Sequence, residues 1–346
     1  MSSLSLLALV LLVPIGLLAA FLAYLVARYA PVVGRVFEEK PVFHPPRVEP
    51  EPDGEEVAFA TADGLELRGA YFRARTVERV GVVAFCPEFL ADRWSFRPYT
   101  EGLRDLGFDL LTFDFRNHGT AATEPGYEPL QWVSDREVLD LRAALAYLRS
   151  RPDRDPAGVA LFGVSRGGST ALCVAAEDPT VWAVVTDGAF PTRGTMRAYI
   201  RRWAEIYIVS RTMLRLLPQW VFTLVGWAGR MRSSWRLRRR FPDIERAVAR
   251  LAPRPWLMIH GEKDAYIGPE IARALFACAR EPKELWIVPG AKHNRCREVE
   301  PVAYRERVSA FFRRYSPRRT APAGPAPTDR PEAVVVPTPT AVARVE

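Results

Sequence analysis

The chain has 346 residues, of which 49% are hydrophobic and 25% are charged, a balance that excludes a largely disordered protein and allows one large core or two modest ones. The formal net charge is +8, but residues 191–240 contain twelve arginines and a single acid, Glu205. We therefore expect a local basic face rather than a uniformly basic protein. The four cysteines show no CxxC pair and no regular spacing, which favours buried free thiols.

The N-terminal segment is apolar from residue 4 to residue 26, about the length of a helix that crosses the hydrocarbon core of a membrane. We predict a transmembrane helix over residues 4–27. A cleaved signal peptide is the alternative, but no Lys or Arg precedes the apolar run, and no clear cleavage site follows it. Arg28, Arg35 and Lys40 flank its C-terminal end, so the positive-inside rule predicts a single-pass membrane protein whose main body is cytoplasmic.

Two further segments lack the periodicity of helices and strands. Residues 31–55 combine repeated prolines with mixed charges, which favours an extended stalk. Residues 317–346 consist mainly of Pro, Ala, Thr and Arg, which is typical of a disordered tail. The folded body is therefore expected within residues 56–316.

Short apolar runs alternate with longer amphipathic runs along the body, a pattern that predicts a mostly parallel sheet with helices on both faces. Asp63 and Gly64 form a hairpin signal between the first two runs, so the sheet is expected to begin antiparallel. Helices are predicted over residues 133–149 and 302–314. Eight strands are predicted, over residues 56–62, 65–73, 80–86, 108–115, 158–164, 183–187, 255–260 and 284–288.

The most informative motif is G-x-S-x-G, formed by Gly163, Ser165 and Gly167 between an apolar strand and a helix rich in small residues. A sharp turn from strand to helix holds the serine in a strained conformation, and the glycines let the neighbouring backbone approach. The serine hydroxyl then lies at the N-terminus of a helix, where negative charge is stabilised. Ser165 is therefore a candidate nucleophile, and a glycine-rich turn without chemistry is the alternative.

A serine nucleophile needs a base, and the chain has four histidines. His44 lies in the proline-rich stalk, His260 lies at the end of a buried strand, and His118 lies in a turn where a structural role is favoured. His293 follows a strand, in a loop before the last helix. That position favours His293 as the general base.

The base in turn needs an acid that fixes its tautomer and stabilises its positive form. Asp264 lies in the loop after the penultimate predicted strand, and we predict it as this acid. Asp187, at the end of an earlier strand, is the alternative acid. The order Ser, Asp, His is one of three unrelated orders in which such triads occur.

Residues 55–315 resemble the α/β-hydrolase superfamily. The resemblance is carried by the segments GVSRGG, HGEKDAYIG, AKHN and DFRNHG, which stand in the expected order. It implies the α/β-hydrolase fold and looks most similar to the branch called serine aminopeptidase-like or prolyl-oligopeptidase-like, which also contains membrane-anchored esterases and thioesterases. Haloalkane dehalogenase chemistry is disfavoured, since those relatives have Asp where this chain has Ser165.

The chain departs from the family pattern after the third strand, where Pro87 and Glu88 stand in place of the usual His-Gly. Alignment through the following segment brings Phe89 to the position of the first oxyanion donor. A tetrahedral intermediate requires donors that converge on its oxygen. We therefore predict an oxyanion hole formed by the backbone amides of Phe89 and Arg166.

Residues 189–252 form a long insertion between two strands, and we predict a helical cap that shapes the substrate pocket. It interleaves large apolar side chains with arginines, a composition that suits a membrane interface. The alternative is that the aromatic side chains pack on the body and the arginines face solvent. The basic run at residues 235–240 favours membrane contact slightly, and nucleic-acid binding is disfavoured because no recognised motif accompanies the arginines.

Together these observations predict a serine hydrolase that cleaves a carboxylic ester, thioester or amide through an acyl-enzyme. A small-molecule or acyl substrate and membrane lipid are the expected partners, with no metal, no organic cofactor and no nucleic acid. Two alternatives stay open: a membrane-bound scaffold that has lost activity, and an acyltransferase. The sequence predicts neither the substrate nor the oligomeric state.

Overall fold

The computed structural model describes residues 3–40, 45, 47–207 and 217–318. The predicted disordered tail, apart from its first two residues, lies outside the described residues. The same is true of residues 208–216 in the predicted cap, and of residues 41–44 and 46 in the predicted stalk, which include His44.

The core of the molecule is one eight-stranded sheet in the order β1-β2-β4-β3-β5-β6-β7-β8. Strands β1, β2 and β4 pair in antiparallel fashion, and all other neighbours are parallel. The prediction of an antiparallel start followed by a parallel sheet is confirmed, and every predicted strand end lies within two residues of the observed one. The strands are β1 Glu55–Ala60, β2 Glu66–Phe72, β3 Gly81–Cys86, β4 Phe108–Phe113, β5 Val159–Val164, β6 Val181–Asp187, β7 Trp256–Gly261 and β8 Lys283–Val288.

Helices cover both faces of this sheet, as expected for strands that are apolar on both sides. Helices α2, α3, α6 and α7 contribute buried side chains to one core, whereas α9 packs in a second core on the opposite face. Over the described residues the helices are α1 Ser3–Glu38, α2 Asp135–Ser150, α3 Arg166–Ala175, α4 Thr192–Tyr207, α5 Gln219–Leu237, α6 Ile244–Ala249, α7 Pro269–Cys278, α8 Cys296–Val299 and α9 Pro301–Tyr315. Helices α4, α5 and α6 lie within the predicted cap.

The N-terminal helix is longer than predicted, and the predicted start of the stalk is wrong. Helix α1 continues through Pro31 to Glu38, whereas the sequence suggested extended chain from residue 31. The proline removes one backbone hydrogen bond, but the helix beyond it packs tightly, with Val33 and Phe37 buried. Tertiary packing thus outweighs the local effect of the proline.

Within the described part of the chain, one helix is long and apolar enough to cross a membrane. This is α1, in which an 18-residue window of the segment Leu12–Glu38 has a mean hydropathy of 1.8. Its N-terminal part makes few contacts with the body, since Leu12, Ile15 and Leu17 are all exposed. The cysteines are all free, and three of them are buried; Cys278 is exposed, contrary to the prediction of buried thiols.

Candidate active site

Ser165 stands at the junction between β5 and α3, at the carboxyl edge of the sheet. Its backbone has φ 51° and ψ −118°, a conformation that side chains rarely adopt and that turns the hydroxyl out of the strand. A Cβ on Gly167 would lie 2.2 Å from the carbonyl oxygen of Cys86 and 2.3 Å from that of Pro87. Glycine at this position therefore lets the loop after β3 approach the first turn of α3.

The loops after β7 and β8 bring two more side chains to the same edge. The Oγ atom of Ser165 lies 2.9 Å from Nε2 of His293, and Nδ1 of His293 lies 2.6 Å from Oδ2 of Asp264. The other carboxylate oxygen of Asp264 accepts hydrogen bonds from the backbone amides of Tyr266 and Ile267, both at 2.9 Å. The three residues predicted from the sequence thus form one continuous chain of hydrogen bonds.

The environment of Asp264 favours its charged form. Burial alone would raise the pKa of this carboxyl group, but the hydrogen bond from His293 and the charge of its imidazolium form outweigh burial and lower the pKa. The carboxylate is therefore ionised at neutral pH. An ionised carboxylate can hold the imidazole in the tautomer that leaves Nε2 free to accept the proton of Ser165.

Two other histidines have structural partners. His118 is buried; its Nδ1 lies 2.7 Å from the carbonyl oxygen of Arg116, and its Nε2 lies 2.9 Å from Nη2 of Arg166. Burial and the charge of Arg166 lower the pKa of His118 to about 3, so its Nε2 accepts the hydrogen bond as a neutral imidazole. The Nε2 atom of His260 donates to the carbonyl oxygen of Ile267 at 2.9 Å, and burial lowers the pKa of this imidazole.

Asp187, the alternative acid, lies below the site and has other side-chain partners. Its carboxylate accepts a hydrogen bond from the hydroxyl of Tyr304 at 3.0 Å, and burial raises its pKa to about 6. Its backbone carbonyl accepts a hydrogen bond from the amide of Ser165 at 2.7 Å. Asp187 thus supports the backbone of the serine, while Asp264 contacts the histidine.

The residues predicted as oxyanion donors flank Ser165. Phe89 lines the same pocket as Ser165 and His293, and Arg166 is the first residue of α3, where backbone amides have no partner within the helix. The guanidinium of Arg166 donates to the carbonyl oxygen of Leu130 at 2.8 Å and lies over the ring of Phe89, 5.1 Å from its centroid. The side chain of Arg166, for which the sequence offered no signal, therefore packs against the loop that carries Phe89.

Glu88 fills the space beneath this loop. Its side chain is buried and accepts a hydrogen bond from the hydroxyl of Ser95 at 3.2 Å. Burial raises the pKa of Glu88 to about 7, although the hydrogen bonds it accepts oppose this. Glu88, which stands where the family usually has glycine, is therefore a buried carboxyl group that is hydrogen-bonded within the segment after β3.

A cavity of about 150 Å³ opens above Ser165 and His293. Its wall comes from the loop after β3, the segment before α2, the cap and the loop after β7. Most of these residues were not predicted, because they are ordinary apolar side chains without a motif. The remaining lining residues are Phe89, Gln131, Trp132, Phe190, Thr195, Tyr199, Tyr266 and Ile267.

No group of three or more His, Cys, Asp or Glu side chains suited to a metal ion occurs among the residues that the structure describes. The chemistry available at this site is that of a hydroxyl, an imidazole, a carboxylate and nearby backbone amides. Such a set suits nucleophilic attack on a carbonyl group followed by stabilisation of an oxyanion.

The fold and the site define a class of protein, and comparison with known sequences gives the same class. A model of the "Alpha/beta hydrolase family" matches residues 88–307, which include Ser165, Asp264 and His293. The chain belongs to the α/β hydrolase family.

Similar proteins include an uncharacterized protein of Mycobacterium tuberculosis, which is 29% identical over 243 residues, covering 70% of this chain and 73% of that protein. A thiohydrolase of Aspergillus aculeatus is 32% identical over 172 residues, covering 47% of this chain and 52% of that enzyme. Among solved structures, a Pyrococcus furiosus esterase superposes with a TM-score of 0.58 and 21% identity, covering 80% of this chain and 100% of that one. The structural likeness shows the fold.

Proposed function

We propose that this protein is a serine hydrolase, anchored in a membrane by α1, that cleaves a carboxylic ester, thioester or amide through an acyl-enzyme. One observation carries the proposal: the hydroxyl of Ser165, the imidazole of His293 and the carboxylate of Asp264 form a continuous hydrogen-bonded chain at the floor of a pocket. Three loops that are distant in sequence converge to build this chain. A scaffold without activity would leave this convergence of three side chains unexplained.

The proposed reaction has two steps. The oxygen of Ser165 attacks the carbonyl carbon of the substrate while Nε2 of His293 takes the hydroxyl proton, and the amides of Phe89 and Arg166 donate hydrogen bonds to the oxyanion. The imidazolium then protonates the leaving alcohol, thiol or amine as the bond to it breaks. In the second step His293 takes a proton from water, the resulting attack forms a second oxyanion, and its collapse releases the acid and returns the proton to Ser165.

The pocket supports a substrate whose acyl group is small and apolar. A cavity of about 150 Å³ is comparable to an engineered apolar cavity that binds benzene. Trp132, Phe190 and Ile267 provide an apolar wall close to Ser165. An acyl group of up to about six carbons would fill this space, and a longer chain would have to leave the pocket.

Membrane anchoring is supported by the length and composition of α1. Arg28, Arg35 and Lys40 follow the apolar part of this helix, which supports a cytoplasmic location of the catalytic body. The similarity to a thiohydrolase supports including thioesters among the substrates. The serine aminopeptidase-like branch is part of the same proposal, and the resemblance in the overall pattern of the segments GVSRGG, HGEKDAYIG, AKHN and DFRNHG supports it.

The test is hydrolysis of p-nitrophenyl esters and acyl thioesters of two to sixteen carbons by the full chain in detergent or vesicles. We expect turnover that peaks at short acyl chains and is abolished in Ser165→Ala, with Ser150→Ala, an exposed serine at the end of α2, as the matched control. Product analysis separates hydrolysis from acyl transfer to an alcohol or amine acceptor. A folded protein that shows no Ser165-dependent turnover on any member of the series would contradict the proposal.

A further inference from the structure

Helix α1 and the cap helix α5 lie side by side and run in the same direction. The residue numbers of the contacting pairs increase together along the two helices. A Cβ on Gly229 would lie 2.4 Å from a side-chain atom of Val33, and the hydroxyl of Ser233 donates to the carboxylate of Glu38 at 2.9 Å. The guanidinium of Arg236 then pairs with Glu38 at 3.3 Å. Because the helices are parallel, the first turn of α5 lies beside the part of α1 near Phe21.

Both helices change from uncharged to charged along the same direction, at levels within about two turns of each other. Helix α1 carries no charge before Arg28, and α5 carries none before Arg230. In the register of the contacts above, Arg230 lies level with residues 32–35 of α1, about one to two turns beyond Arg28. Residues 230–240 contain six arginines, of which Arg232, Arg236, Arg238 and Arg240 are exposed.

The outward face of α5 is aromatic. Trp220 is 50% exposed and Trp227 is 54% exposed, and both lie on one face of the helix with Met231 and Trp235, which are also exposed. The opposite face is buried in the cap and against α1. Tryptophan is enriched where a protein meets the boundary between hydrocarbon and headgroups, and exposed arginines favour anionic lipid.

We propose that α5 is a second membrane-contacting element, which enters the leaflet on the hydrolase side next to α1 and places its aromatic face against anionic lipid. Trp227 lies at the headgroup boundary, and Trp220 lies about 10 Å deeper, since seven residues of helix separate the two. The arginines from Arg230 onward lie among the headgroups. This inference rests on the proposal that α1 spans the membrane.

The helix pair also reaches the proposed active site. The ring of Phe37, at the end of α1, stacks on Trp132 with 5.0 Å between centroids, and the indole nitrogen of Trp132 donates to the carbonyl oxygen of Phe37 at 3.0 Å. Trp132 in turn lines the pocket above Ser165. A two-helix attachment would therefore hold the pocket at a defined height above the lipid surface, where a membrane-dissolved substrate could enter it.

The test uses single cysteines that carry an environment-sensitive NBD label, in the full chain with Cys278→Ser and its three buried cysteines retained. The positions are Phe21→Cys in α1, Trp220→Cys at the same level in α5, and Glu101→Cys on the exposed surface of the body as control. The protein is reconstituted in vesicles of phosphatidylcholine and phosphatidylglycerol. Quenching is measured with iodide in the water and with nitroxides on the lipid acyl chains.

We expect the labels at positions 21 and 220 to be quenched about threefold or more by acyl-chain nitroxides and little by iodide, with the reverse for position 101. A lipid-quenched label at 21 with an iodide-quenched label at 220 would overturn this inference and leave the anchor intact. Iodide quenching at both positions would contradict the anchor itself. A label at 220 shielded from both quenchers would show that protein, such as a second copy of the chain, covers this face, which also overturns the inference.

Discussion

The proposed active site and the contact between α1 and α5 are built in opposite ways. Ser165, Asp264 and His293 each follow a strand of the parallel part of the sheet. Because the carboxyl ends of parallel strands lie at one edge, the sheet itself places the three residues close together. The helix pair instead depends on contacts between residues such as Gly34 and Ser233, which are 199 positions apart and belong to no motif. Disturbing the first region should therefore affect chemistry, and disturbing the second should affect attachment and stability.

The largest expected effect separates the two candidate acids. Asp264→Asn should lower kcat by about 10⁴-fold, because the amide no longer holds His293 in the productive tautomer. Asp187→Asn, the matched control, should lower kcat by less than about tenfold, since its carboxylate contacts Tyr304 rather than the histidine. Steady-state kinetics on one short ester decide between them, and equal losses in both variants would contradict the assignment of the acid.

The next effect concerns the proposed oxyanion hole. Gly167→Ala should place a methyl group against the carbonyl oxygens of Cys86 and Pro87 and so push the loop that carries Phe89 away from Ser165. Losing one oxyanion donor should lower kcat by about 10²–10³-fold with a smaller change in KM. Thermal unfolding of the same sample shows whether the protein is still folded, and unchanged kcat in a folded variant would argue against this oxyanion hole.

The helix pair should respond in stability instead. Gly229→Leu forces a side chain into the space held by Val33 and should destabilise the protein by about 1–3 kcal/mol, measured by unfolding in detergent. Gly16→Leu, in a part of α1 where a Cβ would meet nothing within 4 Å, is the matched control and should have little effect. If the two variants unfold alike, the contact between α1 and α5 contributes no stability.

The smallest expected effect comes from the buried carboxyl group of Glu88. Its pKa is raised to about 7, so between about pH 4.5 and pH 7 the native protein keeps a proton that the unfolded chain has released. Stability should therefore fall as the pH rises through this range. Glu88→Gln should reduce that fall by an amount on the order of 1 kcal/mol, measured as unfolding midpoints at pH 5 and pH 8. Parallel curves for the two proteins would contradict the raised pKa.

The sequence allowed good prediction where local patterns decide the structure. The strands follow from short apolar runs, and the motif around Ser165 and the loops of Asp264 and His293 follow from their positions after those strands. The continuation of α1 through Pro31 was not predictable, because a proline favours a break and only the packing of Val33 and Phe37 opposes it. The wall of the pocket was missed for a similar reason, since Trp132 and Phe190 become neighbours only in the folded chain.

The most direct test of the central claim is labelling by a fluorophosphonate probe, with the modified peptide located by mass spectrometry. We predict a single adduct on Ser165 in the wild type, no labelling in Ser165→Ala, and labelling slowed by at least about 10³-fold in His293→Ala, because the hydroxyl loses its base. A folded wild type that remains unlabelled, or a label that persists at the same rate in Ser165→Ala, would contradict the account.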